Sequence, residues 1–165
     1  MIKHDLDQVA AQLGKMADTV AEELGMAALE EFRENFRRGG FFAQGTWPKR
    51  AGNIDQGRGV LVGKGGGRKL SRSLQVKVAN GVATIFTLVP YAKAHNEGVD
   101  EVVSISAHNV RAHTRKRKGK RYKVKAHGRG GHRKRMRLPQ RQFMGRHQSL
   151  DKMLSNILND HLKQL

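Results

Sequence analysis

From Val102 to Leu150 the chain has no acidic residue and 16 lysines and arginines. No folded core can take in such a run, because an unpaired charge is too costly to move out of water. The segment must lie on a surface or against a polyanion. The other 116 residues hold 16 basic and 14 acidic side chains, a net of +2, so all but two of the formal net charge of +18 belong to this one stretch. The chain therefore reads as a nearly neutral domain with a basic arm, residues 107–137, inserted late. Among the arm's cations are Arg111, Arg115, Lys116, Arg117, Lys118, Lys120, Arg121, Lys123, Arg133, Lys134 and Arg135. A surplus of this size points to nucleic acid, an anionic membrane or an acidic protein face.

A chain of 165 residues fits a single domain, here 1–165 with its arm. The absence of cysteine excludes a disulfide scaffold, a Cys-ligated zinc site and a thiol nucleophile. The longest apolar stretches, such as Val82–Leu88, fall far short of the ~20 residues of a bilayer span. The N-terminal residues lead into an amphipathic pattern rather than an apolar signal core. We expect assembly in the cytoplasm and no membrane partner.

Leu6, Val9, Leu13, Met16 and Val20 recur at steps of three and four, and Leu24, Ala27, Ala28, Phe32 and Phe36 continue the stripe. This predicts one amphipathic helix, or two broken near Gly25, with the stripe facing the core. Gly39-Gly40 after Arg37-Arg38 stops it. Residues 39–70 read as a glycine-rich loop. Its run Gly63-Lys64-Gly65-Gly66-Gly67 lacks the Gly-Lys-Ser/Thr ending of a phosphate-binding loop. Next, Leu74–Val78 and Val82–Leu88 flank Asn80-Gly81, the sequence of a type I′ hairpin turn. Tyr91–Gly98 reads as a helical turn stopped by glycine. A third strand is expected through Val102, Val103 and Ile105, and a fourth through Tyr122, Val124 and Ala126. Leu150, Met153, Leu154, Ile157, Leu158, Leu162 and Leu165 share one face of a last helix, with Ser149 as its N-cap. The expected fold class is α+β: a small, mainly antiparallel sheet of about four strands, packed by a long N-terminal helical segment and a C-terminal helix.

Four histidines in the arm, His108, His113, His127 and His132, form two matching pairs. Val103–His108 and Tyr122–His127 make a short imperfect repeat. A zinc site is conceivable, but the surrounding cations repel a metal and no carboxylate is near to orient the rings. The plainer reading is two paired strands that each end in polar arm residues. His95 and Glu97 with Tyr91 could be an acid/base group, yet no nucleophile stands at a recognisable spacing. We therefore expect no catalytic residue, no metal and no cofactor. The arm also suits a nucleic-acid-binding module through counterion release, although its single aromatic, Tyr122, makes a poor stacking platform.

Several motifs follow one another in a fixed order: Phe32-Arg-Glu-Asn-Phe36, Gly45-Thr-Trp47-Pro48, Leu70-Ser-Arg-Ser-Leu74, Pro90-Tyr91-Ala-Lys-Ala-His95-Asn-Glu-Gly98 and Leu138-Pro-Gln-Arg141-Gln-Phe143-Met-Gly145. In this the chain resembles the virion morphogenesis family of tailed bacteriophages, the Mu-like tail completion proteins, over roughly residues 30–165. The resemblance implies a structural protein of the virion neck or tail, not an enzyme. Its copies would form a ring, commonly sixfold, that finishes the tail and joins it to the head beside neighbouring neck and tail proteins. It departs from the family in the arm, which is longer and more basic here. On this reading Trp47 anchors the loop beside Pro48, Tyr91 and His95 fix the turn before Gly98, and Phe143, between Arg141 and Gly145, plugs the core. The arm is expected to project as an extended hairpin between the third and fourth strands, with Gly119 near its tip. Packaged DNA in the ring's lumen and an acidic face on a neighbouring protein compete for it. A dense cationic lining would hold DNA that must slide, which tilts the sequence reading toward protein.

Overall fold

The computed structural model describes residues 2–42, 44–49, 60–61 and 69–163, with side chains from Leu6 onward. The glycine run 63–67 and most of the 39–70 loop lie outside the described residues. The architecture is α+β. The chain divides into two compact units, residues 1–98 with 139–165, and residues 99–138.

The first unit is organised by α1, Ile2–Arg38. It is a single helix, about 55 Å long at 1.5 Å per residue, and does not break at Gly25. A Cβ on Gly25 would lie 2.7 Å from Val76 Cγ2 and 2.8 Å from Ala83 Cβ. The glycine is there because another element crosses at that point. That element is the hairpin of β1, Gln75–Ala79, and β2, Val82–Phe86. Its turn is as expected: Asn80 and Gly81 both have positive φ, 54° and 72°. Three contacts lay it along one side of α1. The Gly81 amide donates to Asp18 Oδ1 at 2.6 Å, the strands cross Gly25, and Arg33 Nη2 donates to the Leu74 carbonyl at 3.3 Å. Positions 18, 25 and 33 are about two helical turns apart and share a face.

α1 ends where Gly39, at φ 71°, and Gly40 donate their amides to the Asn35 carbonyl. Arg37 and Arg38 in the last turn complement the helix dipole and pair with Glu30, Glu31 and Glu34. The Glu30 hydrogen bond, then that of Glu34, raises the Arg37 guanidinium above its ordinary value. A short α2, Lys69–Arg72, buries Leu70, and α3, Ala92–Glu97, ends at Gly98 with φ 78°. The last helix, α4, Gln148–Leu162, packs on α1, and His161 Nε2 meets Glu23 Oε2 at 2.6 Å. Its N-cap is His147 rather than Ser149, because the His147 ring accepts the Ser149 amide through Nδ1.

The core holds Ala28, Leu29, Phe32, Trp47, Leu70, Leu74, Ala92, Phe143 and Leu150. Only the second half of α1 reaches it. Leu6, Val9, Leu13 and Met16 are exposed, so the first half of the stripe does not face a core of its own chain.

The second unit is a two-stranded ribbon in three antiparallel ladders. These are β3, Val99–Ile105, on β8, His132–Leu138; β4, His108–Val110, on β7, His127–Arg129; and β5, His113–Arg117, on β6, Lys120–Val124. Lys118 and Gly119 turn the tip, both at positive φ, which places Gly119 as expected. The expected four-stranded sheet does not form. β3 pairs with β8 rather than with the hairpin, and the strand through Tyr122 is the return limb just after the tip. The two repeats do not pair with each other either: Val103 faces Lys134, and Tyr122 faces Arg115.

Register is unchanged across both breaks, since each removes two residues from either strand. Ser106 and Ala107 lie opposite Gly130 and Gly131; Arg111 and Ala112 lie opposite Lys125 and Ala126. A histidine follows every break segment. The Nδ1 of His108, His113, His127 and His132 lies 3.0, 3.0, 3.0 and 3.3 Å from the carbonyl two residues earlier. A carbonyl can only accept, so Nδ1 carries the proton, and each ring supplies a donor to a carbonyl outside the ladders.

Candidate functional site

All five motifs, the last from Pro139 onward, meet in the first unit, around Phe143, which is fully buried. Two asparagines hold its backbone. Asn35 Nδ2 donates to the Phe143 carbonyl at 3.1 Å, while Asn96 Oδ1 accepts the amides of Phe143 and Met144 at 3.0 and 3.1 Å. Trp47 Nε1 donates to the Gln142 carbonyl at 2.8 Å. Arg141, buried, sends Nε to the Pro48 carbonyl at 3.0 Å and Nη2 to the Lys49 carbonyl at 3.3 Å, and its amide donates to the His95 carbonyl. Phe36 packs on both Trp47 and Phe143, with ring centroids 5.5 and 5.1 Å apart.

Trp47 and Phe143 are both buried in this core. Tyr91 is exposed and sits edge-on to His95 at 5.8 Å, while Glu97 reaches toward Lys93 at 4.0 Å. Gly98 and Gly145 occupy positive φ, 78° and 148°.

The sequence reading missed Asn35, which is fully buried. Its Oδ1 also accepts the Phe42 amide at 2.9 Å, holding Phe42 at φ 44°, a left-handed conformation rare for a bulky residue. Phe42 in turn stacks on His147, the cap of α4, at 4.5 Å. A signal was present: Asn35 is a polar residue between Phe32 and Phe36 on the core-facing side of α1.

The basic residues form more than one patch. In an antiparallel ladder, directly opposed residues share a face and neighbours alternate. In β5–β6 one face carries Arg115, Arg117 and Lys120 beside Tyr122; the other carries Lys116, Arg121 and Lys123. Arg115, Arg117, Lys118 and Tyr122 line a recess of about 430 Å³. In β3–β8, Arg133, Arg135 and Arg137 share a face with Asp100. Arg135 pairs with Asp100 through two bonds of 2.7 and 2.9 Å, and Arg137 Nε lies 3.5 Å away. Lys134 lies on the opposite face across from Val103, and Arg111 falls in a break.

A third feature is an apolar groove of about 610 Å³ between α1, the hairpin and α4. Leu13, Met16, Val20, Val82, Leu158 and Leu162 are among its lining residues. It continues the uncovered stripe of α1, since Leu13 and Met16 belong to both.

Among the described residues no three of His, Cys, Asp or Glu come together as metal ligands, and no helix is long and apolar enough to cross a membrane. Comparison with protein-family models, curated proteins and solved structures gives no match for this chain.

Proposed function

We propose that this chain is a structural subunit of a bacteriophage neck or tail. In this reading it is a tail-completion or terminator protein whose copies form a ring, sixfold, that finishes the tail and mediates head–tail joining in the virion. The ordered motifs support the family; the groove and the bare half of α1 support the ring. Residues 6–19 of α1 are all exposed, Leu6 at 63% and Leu13 at 60%. A helix of that length is marginal alone in water, so its apolar stripe asks for cover. A second copy of the chain is the occupant. A ring requires one patch to meet a different patch on the next copy, and a helix stripe running into an apolar groove supplies two such patches.

The test is the mass of the purified full chain by light scattering, with Leu13→Asp/Met16→Asp as the variant. The native chain is expected at a multiple of its monomer mass, and ring images should show sixfold symmetry. The variant should be monomeric with its helical signal kept, because neither residue reaches the core. A native chain that stays monomeric at every concentration, and is missing from purified particles, overturns the reading.

A further inference from the structure

We propose that the distal ribbon, residues 113–124, is a duplex-DNA-binding element that enters the major groove tip first, with its two faces toward the two phosphate walls. This goes beyond the ring reading and needs no ring.

Charge comes first. Seven of these twelve residues are Lys or Arg, and none is acidic. Among the described residues none of the seven has a carboxylate within ion-pair distance, and all are exposed. The proximal ladder behaves differently: there Asp100 holds Arg135 and Arg137.

Pairing within the ladder is the second observation. Lys116 sits directly opposite Arg121, and Arg117 directly opposite Lys120. Like charges in directly opposed positions destabilise a ladder. Lys118 adds a further cation in the turn. Nothing in the ribbon offsets this repulsion, so a dense line of negative charge would stabilise the tip as it binds.

The third observation selects the kind of polyanion. Both faces carry cations, three on each. A flat acidic protein surface meets one face of a ribbon and leaves the other in water. The major groove of B-DNA, roughly 12 Å wide, admits a two-stranded ribbon and has phosphates along both sides. Five residues of β5 span about 17 Å at 3.4 Å each, enough to pass the groove's depth of about 8.5 Å and keep the remaining cations level with the backbones.

Composition then sets the specificity. The segment has no Asn, Gln, Asp or Glu, so the paired amide contacts that read adenine, and the carboxylates that read cytosine, are missing. Its one aromatic, Tyr122, faces Arg115 across the ladder, which gives no row of stacking platforms for single strands. Binding should therefore favour duplex and be almost indifferent to sequence. If the chain also forms a ring, this contact holds DNA in place rather than letting it slide.

The experiment uses the full chain and a fluorescein-labelled mixed-sequence 20-base-pair duplex, read by anisotropy across a salt series. Two variants each clear one face: Arg115→Ser/Arg117→Ser/Lys120→Ser and Lys116→Ser/Arg121→Ser/Lys123→Ser. The native chain is expected to bind the duplex at least tenfold more tightly than either single strand, with a log–log salt slope between about −4 and −6. Each variant should weaken binding at least tenfold and make the slope shallower by about 2–3. Backbone amide shifts of β3 and β8 should not move, which separates lost contacts from a lost ribbon. Loss confined to one variant overturns the groove geometry. Equal affinity for single strands, or full competition by poly-glutamate at equal charge, overturns the duplex and assigns the ribbon to an acidic partner. The Leu13→Asp/Met16→Asp chain should bind a short duplex as well per subunit as the native chain, so failure of the ring and failure of the ribbon are read separately.

Discussion

Phe143 and Tyr122 sit in surroundings of opposite character. Phe143 is fully buried; its carbonyl and amide are each held by an asparagine side chain, and the Phe36 ring packs on it. Tyr122 is half exposed, faces an arginine and has cations on every side. The first unit gains stability from burial, worth about 1.5–3 kcal/mol for a side chain such as Phe143. The ribbon has backbone ladders and cross-strand pairs of only about 0.2–1 kcal/mol each, and some of those pairs are repulsive. A lone two-stranded hairpin is marginal in water. The two regions therefore spend their side chains differently: one on holding itself together, the other on meeting something else.

The sharpest way to break this comparison is at its buried end. Phe143→Ala should cost about 3–5 kcal/mol through lost burial and a cavity, measured by chemical denaturation followed at Trp47. A loss below about 1 kcal/mol would mean that the core does not turn on this residue. Asn35→Leu tests the polar side of the same hub. It keeps the volume but leaves the Phe143 carbonyl and the Phe42 amide unsatisfied, each worth about 1–3 kcal/mol. We expect a loss of about 2–4 kcal/mol, and α4 should loosen because Phe42 stacks on its cap. The smallest effect belongs to the ribbon. Gly119→Ala places a side chain at φ 79° with open space around it, so only the backbone penalty of roughly 1 kcal/mol applies. Amide exchange should quicken in β5 and β6, while the denaturation midpoint of the first unit stays where it was.

How much of this was legible depends on how local each feature is. Asn80-Gly81 announced its turn because both positions need positive φ, a property of two residues alone. Trp47 and Phe143 were legible as rare aromatics among motif residues. Gly25 was misleading: glycine inside a helical pattern reads as a break, and only the hairpin crossing at Val76 and Ala83 explains it. The stripe from Leu6 to Met16 had the right period, but periodicity cannot say whose surface covers it. The four-stranded sheet failed for a similar reason. Val102, Val103 and Ile105 read as a strand, yet the mate of β3 is β8, beyond the whole arm, and pairing at that separation leaves no local mark. For the candidate site, charge was legible and facing was not. Which cations share a face follows from register, and register was fixed only once Lys118-Gly119 could be placed at the turn.

The two breaks have a consequence for how such a ribbon can vary. They begin five residues apart on each strand, at 106 and 111 going out and at 125 and 130 coming back. Between them lies one three-residue rung, opened by a histidine on either side. Removing 106–110 together with 127–131 would bring Ile105 up to Arg111-Ala112-His113, and Lys125-Ala126 up to His132. Every pairing beyond the cut would keep its register, and each remaining break would keep its histidine. The ribbon is in this sense a graduated rod, lengthened or shortened by about 17 Å per step at 3.4 Å a residue. The distance between its anchored end and its charged tip can change without any redesign of either.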